Sequence, residues 1–162
     1  MLRYFISSAM LFFSFCVYSQ SDIVQGPFKI NGDDTVFIQK EADINYPLAL
    51  YFSDGISVKK VDSYEVDGDD PNVETVFFTK IKNVNNVIVL ISWHQKHMMD
   101  NISGNSYQVY GYMYNKNSLS INQVIKDDPN LSGLDGDFSG KQLHFKYKDA
   151  MTIKEYLKVH YQ

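Results

Sequence analysis

The apolar run Val87-Ile88-Val89-Leu90-Ile91 decides the fold class of this chain. Four of its five residues are Val or Ile, and Asn85-Asn86 precedes it as a turn signal. A short continuous apolar run bounded in this way is typical of a β-strand that is covered on both faces. The sequence therefore predicts a sheet with packed layers on either side of this strand.

Turn signals and β-prone segments surround this run. Asn31-Gly32-Asp33-Asp34 and Ser53-Asp54-Gly55 each separate two β-prone segments, and their residues tolerate the positive φ angles of tight hairpins. Both therefore predict hairpins of antiparallel strands. The strands predicted from the whole sequence are 28–30, 36–38, 48–52, 56–66, 73–82, 87–91, 107–114 and 143–147.

The end of the chain has the pattern of an amphipathic helix. Thr152-Ile153-Lys154-Glu155 fits a capping box, which predicts a helix that begins at or just before Thr152. Ile153, Tyr156, Leu157 and His160 fall on one face of that helix. A helix of this length is marginal alone, so its apolar face must pack on the sheet. The predicted fold is α+β, one domain with a mostly antiparallel sheet and a short C-terminal helix.

Residues 1–19 have the three parts of a secretory signal peptide. A basic start with Arg3 precedes an apolar run, and Val17 and Ser19 supply small residues before a cleavage site. The run of 4–17 is shorter than the ~20 residues of a membrane-spanning helix, although an uncleaved anchor is an alternative. We therefore expect cleavage after Ser19 and a globular β-rich domain over 20–162. The expected location is the periplasm, with secretion as the alternative.

Composition excludes several function classes. The chain has 15 basic and 19 acidic residues, and its formal net charge is −4. Arg3 is the only arginine and Cys16 the only cysteine, so cleavage after Ser19 removes both. An acidic domain without arginine is a poor candidate for binding nucleic acid. A domain without cysteine has no disulfides, thiolate nucleophile or cysteine-zinc site.

A metal site is one interpretation of His94, His97 and Asp100. On a helical turn the two histidines would share a face, and imidazoles with a carboxylate can bind zinc. No His-Glu-Xxx-Xxx-His motif supports a catalytic zinc centre. The alternative is a solvated loop that carries two ordinary histidines.

Aspartates cluster in Asp67-Gly68-Asp69-Asp70 and in Asp135-Gly136-Asp137. The simplest interpretation of both clusters is that they form turns, because Asp favours turns. A calcium site would need several loop oxygens, and neither cluster has the twelve-residue EF-hand pattern. The third interpretation is an acidic surface for a cationic partner, and it assigns Asp67, Asp69 and Asp70 to partner binding.

Tyr110, Tyr112 and Tyr114 occupy alternate positions of a predicted strand, so their side chains share one face. The stripe is either a half-buried face under a helix or loop, or an exposed face that anchors a ligand or protein partner. The second alternative adds these tyrosines to the predicted partner-binding residues.

No catalytic signature stands out, so we expect neither an enzyme nor a cofactor. There is no Gly-Xxx-Ser-Xxx-Gly motif, no Ser-Xxx-Xxx-Lys motif and no phosphate loop. The expected function is an exported protein that occludes a basic protein partner, as an immunity protein or inhibitor against an envelope-acting toxin or wall-degrading enzyme. Negative charge would speed such an encounter. A ligand- or metal-binding module and a small hydrolase are the alternatives, and no membrane contact is expected after cleavage.

Overall fold

Ten strands and two helices form the part of the chain described by the computed structural model, residues 22–161. The strands are β1 (Ile23–Asn31), β2 (Asp34–Lys40), β3 (Leu48–Ser53), β4 (Val58–Tyr64), β5 (Asn72–Ile81), β6 (Val84–His97), β7 (Ile102–Tyr114), β8 (Leu119–Ile121), β9 (Ser132–Phe138) and β10 (Lys141–Leu143). The helices are α1 (Gln123–Lys126) and α2 (Ala150–Tyr161), and short 3-10 turns lie at Met98–Asp100 and Pro129–Leu131.

The strands form two antiparallel sheets. The first has the order β1-β2-β3-β4, and the second has the order β10-β9-β7-β6-β5 with β8 paired beside β7. Asn31 pairs with Asp34 around Gly32, whose φ is 54°, and this confirms the first predicted hairpin. In the second hairpin the Asp54 carboxylate accepts hydrogen bonds from the backbone N–H groups of Ile56 and Ser57. Both hairpins arise from local turn chemistry, as predicted.

The run at 87–91 lies in the middle of β6 and is fully buried. Val87, Val89 and Ile91 pack against the first sheet, whereas Ile88 and Leu90 pack toward α2 on the opposite face. The prediction of a strand covered on both faces is therefore confirmed. Residues 22–161 thus form three layers, which are the four-stranded sheet, the six-stranded sheet and the helix α2.

Helix α2 packs on the sheet through Ile153 and Leu157, which are fully buried. The predicted capping box at Thr152 is wrong, because the helix begins at Ala150. The Asp149 carboxylate accepts hydrogen bonds from the backbone N–H groups of Met151 and Thr152, at 2.8 and 2.9 Å. Asp149 thus supplies the N-terminal cap that the prediction assigned to Thr152.

The predicted strand at 143–147 is also wrong. β10 ends at Leu143, and Phe145 is buried in a loop where its ring stacks on Tyr107 at 5.4 Å. The Phe145 N–H donates to the Asp135 carboxylate at 3.2 Å instead of to a neighbouring strand. The apolar alternation at this point reflects a loop that packs on the sheet.

The predicted fold class is confirmed, since the described residues form one compact domain of mostly antiparallel sheet with a C-terminal helix. No helix within residues 22–161 is long and apolar enough to cross a membrane. The predicted signal peptide at 1–19 lies outside the described residues.

Candidate partner-binding surface

The tyrosine stripe lies between the two sheets. Tyr112 is fully buried, and its hydroxyl donates to the Asp62 carboxylate at 2.8 Å. The hydroxyls of Tyr112 and Tyr64 are 3.0 Å apart. Burial raises the pKa of both phenols well above the ordinary value, so both stay protonated. Tyr112 cannot touch a partner in this structure, and its assignment to a partner-binding surface needs correction.

The other two members of the stripe also face inward. The Tyr110 ring packs edge-on against Tyr64 at 5.1 Å, and the Tyr114 hydroxyl donates to the buried Asp34 carboxylate. The alternation did place the three side chains on one face, but the four-stranded sheet covers that face. The half-buried alternative assigned this cover to a helix or a loop, and in the structure the cover is a sheet. The stripe therefore builds the layer between the sheets.

Tyrosine hydroxyls also bind carboxylates elsewhere in the molecule. The Tyr51 hydroxyl donates to Glu41, and Tyr156 and Tyr161 donate to the same oxygen of Asp128 at 2.7 and 2.6 Å. Asp128 is buried, whereas an unpaired carboxylate would cost several kcal/mol there. Part of the acidic and aromatic composition thus serves the fold.

The histidines do not form the predicted cluster. β6 continues to His97, so the three-residue spacing of His94 and His97 places their side chains on opposite faces of a strand. His94 lies 3.2 Å from the Asn105 side-chain oxygen, and Asp100 follows in the 3-10 turn. Within residues 22–161 no group of three His, Cys, Asp or Glu side chains could hold a metal ion. The shared face that we predicted for His94 and His97 is therefore wrong.

The second aspartate cluster is committed to local structure. The Asp135 carboxylate accepts hydrogen bonds from Lys148 Nζ at 2.8 Å and from the Phe145 N–H. Hydrogen bonding from Lys148 is the main reason that the pKa of Asp135 lies below its ordinary value. Asp137 accepts from the Gly140 N–H in the β9–β10 turn. These contacts support the turn interpretation.

The first aspartate cluster lies in a surface built from two loops. Loop 41–47 joins β2 to β3, loop 65–71 joins β4 to β5, and the Val66 N–H donates to the Asn45 carbonyl at 3.0 Å. We call these loops the acidic loop pair. They contain no Lys, Arg or His, and their acidic residues are Glu41, Asp43, Glu65, Asp67, Asp69 and Asp70. In the described part of the chain, only Glu41 among these six forms an ion pair, with Lys60 at 3.0 Å.

Side chains of the six-stranded sheet anchor loop 65–71. Trp93 Nε1 donates to the Glu65 carbonyl at 2.8 Å, and Gln95 Nε2 donates to the Asp67 carbonyl at 2.6 Å. Ser106 Oγ donates to the Asp67 carboxylate at 3.3 Å. These three anchors fix the backbone that carries the acidic side chains. Sequence patterns could not reveal these anchors, because each anchor lies 28 or more positions from its partner.

Gly68 lets loop 65–71 approach β6 closely. Its φ is 77°, and a Cβ there would lie 2.6 Å from the side-chain oxygen of Gln95. Any other residue would both strain the backbone and push Gln95 away from the loop. The Asp67-Gly68-Asp69-Asp70 sequence is therefore suited to a tight, anchored turn.

Apolar side chains are exposed within the acidic loop pair. Ile44 is 85% exposed, and Tyr46 and Val66 are also exposed. Protein interfaces commonly combine apolar or aromatic contacts with a polar rim. The acidic loop pair thus offers apolar contact area among carboxylates that are mostly free of internal cations.

Comparisons of the chain with protein-family models, curated proteins and solved structures find no match. The function therefore has to be argued from the chain's own residues. The acidic loop pair provides a negative surface with exposed apolar groups, and its loop 65–71 is anchored to the six-stranded sheet. Such a surface can recognise a cationic protein by shape and charge.

Proposed function

We propose that this protein is an exported, non-enzymatic binding protein that neutralises a basic protein partner by occlusion. The partner class is a toxin or enzyme that acts on the cell envelope or cell wall, and the protein serves as its periplasmic immunity protein or inhibitor. The observation that carries the proposal is the acidic loop pair, in which five carboxylates without an ion pair in the described chain and three exposed apolar side chains lie on two loops joined by a hydrogen bond.

Charge supports a basic partner. The loop pair contains no basic residue, and the chain as a whole has a formal net charge of −4. Uncompensated surface carboxylates attract cationic proteins over a Debye length of ~8 Å at physiological salt. Such steering raises the association rate and disfavours acidic partners.

Anchoring supports occlusion. Trp93, Gln95 and Ser106 hold loop 65–71 before any partner arrives. A loop that is already fixed loses less conformational entropy on binding than a free loop does. The acidic loop pair is therefore suited to cover a partner's functional surface without chemistry of its own.

The location rests on the sequence pattern of residues 1–19. An apolar run followed by Val17 and Ser19 predicts export and cleavage. The intact mass of the protein recovered from the cell envelope would test this. The mass of a chain that begins at Gln20 agrees with the proposal, whereas the mass of a chain that still contains residues 4–17 contradicts cleavage.

Capture from an envelope extract would test the function. We expect the purified protein to retain one stoichiometric basic protein and to reduce its activity. The variant Asp67→Asn, Asp69→Asn, Asp70→Asn should capture much less of it at physiological salt. A matched control, Asp22→Asn, Asp33→Asn, Glu155→Gln, removes three exposed carboxylates elsewhere and should behave as the wild type.

Two outcomes would contradict the proposal. Equal losses in the loop variant and in the control would show that only net charge matters. A captured partner whose activity is unchanged would exclude occlusion. Replacement of His94 by Ala should leave capture intact, because occlusion needs no proton transfer or metal.

A further inference from the structure

A groove of about 310 Å³ lies beside the acidic loop pair. Contacts between β1 and β5 and between β4 and β8 align the two sheets. The groove is lined by Glu65 and Asp67 of the loop after β4, by residues of β6 and β7, and by Ser132, Gly133 and Leu134 of β9. Leu134 is 38% exposed.

The floor of the groove is partly aromatic. Trp93 pairs with Ser106, and Ser106 pairs with Leu134, so their side chains lie side by side on three neighbouring strands. Tyr110 lines the same groove. Trp93 is only 5% exposed and its indole N–H is bound to the Glu65 carbonyl, which holds the ring in place.

The rim of the groove is acidic. Glu65 and Asp67 line it, and neither forms an ion pair with a lysine or histidine in the part of the chain from 22 to 161. Burial, together with the charges of Asp62, Glu65 and Asp67, raises the pKa of Tyr110 above its ordinary value. The groove therefore combines aromatic rings with a negative field, and none of its described lining residues is a lysine, arginine or histidine.

We propose that this groove binds an arginine side chain of the partner. The inference rests on the proposed function and names the chemistry of one contact. A guanidinium group is planar, less strongly hydrated than an ammonium group, and able to stack on aromatic rings while donating to carboxylates. The groove is at the lower end of the volume range for ligand sites, which suits one side chain. Trp93 and Gln95 fix the Glu65 and Asp67 backbone, and the Ser106 hydroxyl also holds the Asp67 carboxylate.

A peptide titration would test this contact without the partner protein. The probe is Ac-Gly-Arg-Gly-NH2, and the controls are the same peptide with citrulline or with lysine. Trp93 is the only tryptophan of the chain, so its fluorescence reports on the groove directly. We expect saturable binding of the arginine peptide, and about fivefold or more weaker binding of the citrulline peptide, which lacks the charge.

Two double variants distinguish carboxylates that line the groove from the overall negative charge of loop 65–71. Glu65→Gln with Asp67→Asn neutralises the rim, and should weaken the arginine peptide about fivefold or more. Asp69→Asn with Asp70→Asn removes the same charge from the same loop outside the groove lining, and should change binding less than about twofold. Circular dichroism and thermal unfolding would verify that both variants are folded.

The outcomes are decisive for the groove. No saturable response, equal binding of the citrulline peptide, or equal losses in both double variants would each overturn the proposal. Equal binding of the lysine peptide would overturn the assignment to a guanidinium group. The titration contains no partner protein, so it tests the groove separately from the proposed function. If the arginine peptide binds but no protein is captured from the envelope extract, the groove's assignment to arginine stands and only the occlusion function is contradicted.

Discussion

Asp128 and the acidic loop pair show two different uses of the same residue type. Asp128 is buried beside α2 and accepts hydrogen bonds from the hydroxyls of Tyr156 and Tyr161. Asp69 and Asp70 are exposed, and no ion pair involves them in the described chain. The number of acidic residues therefore says little about function. The pairing of each carboxylate indicates whether it stabilises the fold or is free for a partner.

Tyrosines divide in the same way. Tyr112 is buried and bound to Asp62, whereas Tyr46 in loop 41–47 is exposed. The alternating stripe is mostly interior, and only Tyr110 of it lines the groove beside the acidic loop pair, whereas Tyr46 is exposed on the loop pair itself. The comparison predicts that substitutions in the interior lower the free energy of unfolding strongly, whereas substitutions in the acidic loop pair mainly change the rate of association with a partner.

The largest stability effect should come from the helix layer. Leu157→Ala removes a fully buried side chain between α2 and the sheet, and we expect a loss of about 2–5 kcal/mol in the free energy of unfolding. Val159→Ala on the exposed face of the same helix should change it by less than about 0.5 kcal/mol. Urea unfolding would measure both. Similar values for the two variants would show that α2 is not packed as described.

Removal of one buried hydroxyl should have the next largest effect. Tyr112→Phe leaves Asp62 and Tyr64 without their shared partner, which should cost about 1–3 kcal/mol. Tyr46→Phe on the exposed loop is the matched control and should cost close to nothing. If Tyr112→Phe were as stable as wild type, the hydroxyl network between the sheets would contribute nothing to stability.

Asp128 should make stability depend on pH in the acid range. Burial alone would raise its pKa, but hydrogen bonds from Tyr161, the Asn130 N–H and Tyr156 outweigh burial and place the pKa below the ordinary value of 3.8. A lowered folded-state pKa means that the contribution is present above the unfolded-state value and is lost as pH falls through the folded-state value. Wild type should therefore lose stability below about pH 4.

Asp128→Asn is the variant that isolates this contribution. It should be less stable than wild type at pH 7 by about 1–3 kcal/mol, and the difference should shrink as the pH falls toward 2. Urea unfolding over this pH range is the measurement. Glu155→Gln, on the exposed side of α2, should follow the wild-type pH profile. A difference that grows toward low pH would contradict the lowered pKa of Asp128.

Local chemistry explains what the sequence predicted correctly. The run at 87–91 and the turns at Gly32 and Asp54 depend on neighbouring residues, and the structure confirms them. The helix α2 begins just before Thr152, as predicted, but its cap was assigned to the wrong residue. Thr152 and Asp149 are both good caps, and the choice between them depends on how the chain enters the helix.

Long-range contacts explain what the sequence could not predict. Alternation places Tyr112 on a face of β7 but does not say that the four-stranded sheet covers that face. The anchors Trp93, Gln95 and Ser106 reach loop 65–71 across 28 to 39 positions of sequence. The spacing of His94 and His97 predicts a shared face only on a helical turn, and here the strand β6 continues to His97. Asp67, Asp69 and Asp70 were located by composition alone, and their partner-binding role stays a prediction.

The smallest stability effect, and a specific kinetic one, should come from Asp69→Asn with Asp70→Asn. Both side chains are exposed, so we expect the free energy of unfolding to change by less than about 0.5 kcal/mol. Against the captured partner, association should slow by about tenfold at low salt, because rim charges mainly set the encounter rate. Dissociation should change little, since neither residue lines the groove. Stopped-flow or surface-based kinetics at two salt concentrations would measure this, with Asp22→Asn, Asp33→Asn as the matched control. Faster dissociation with unchanged association would reverse the expected roles, and would show that these carboxylates hold the partner instead of steering it.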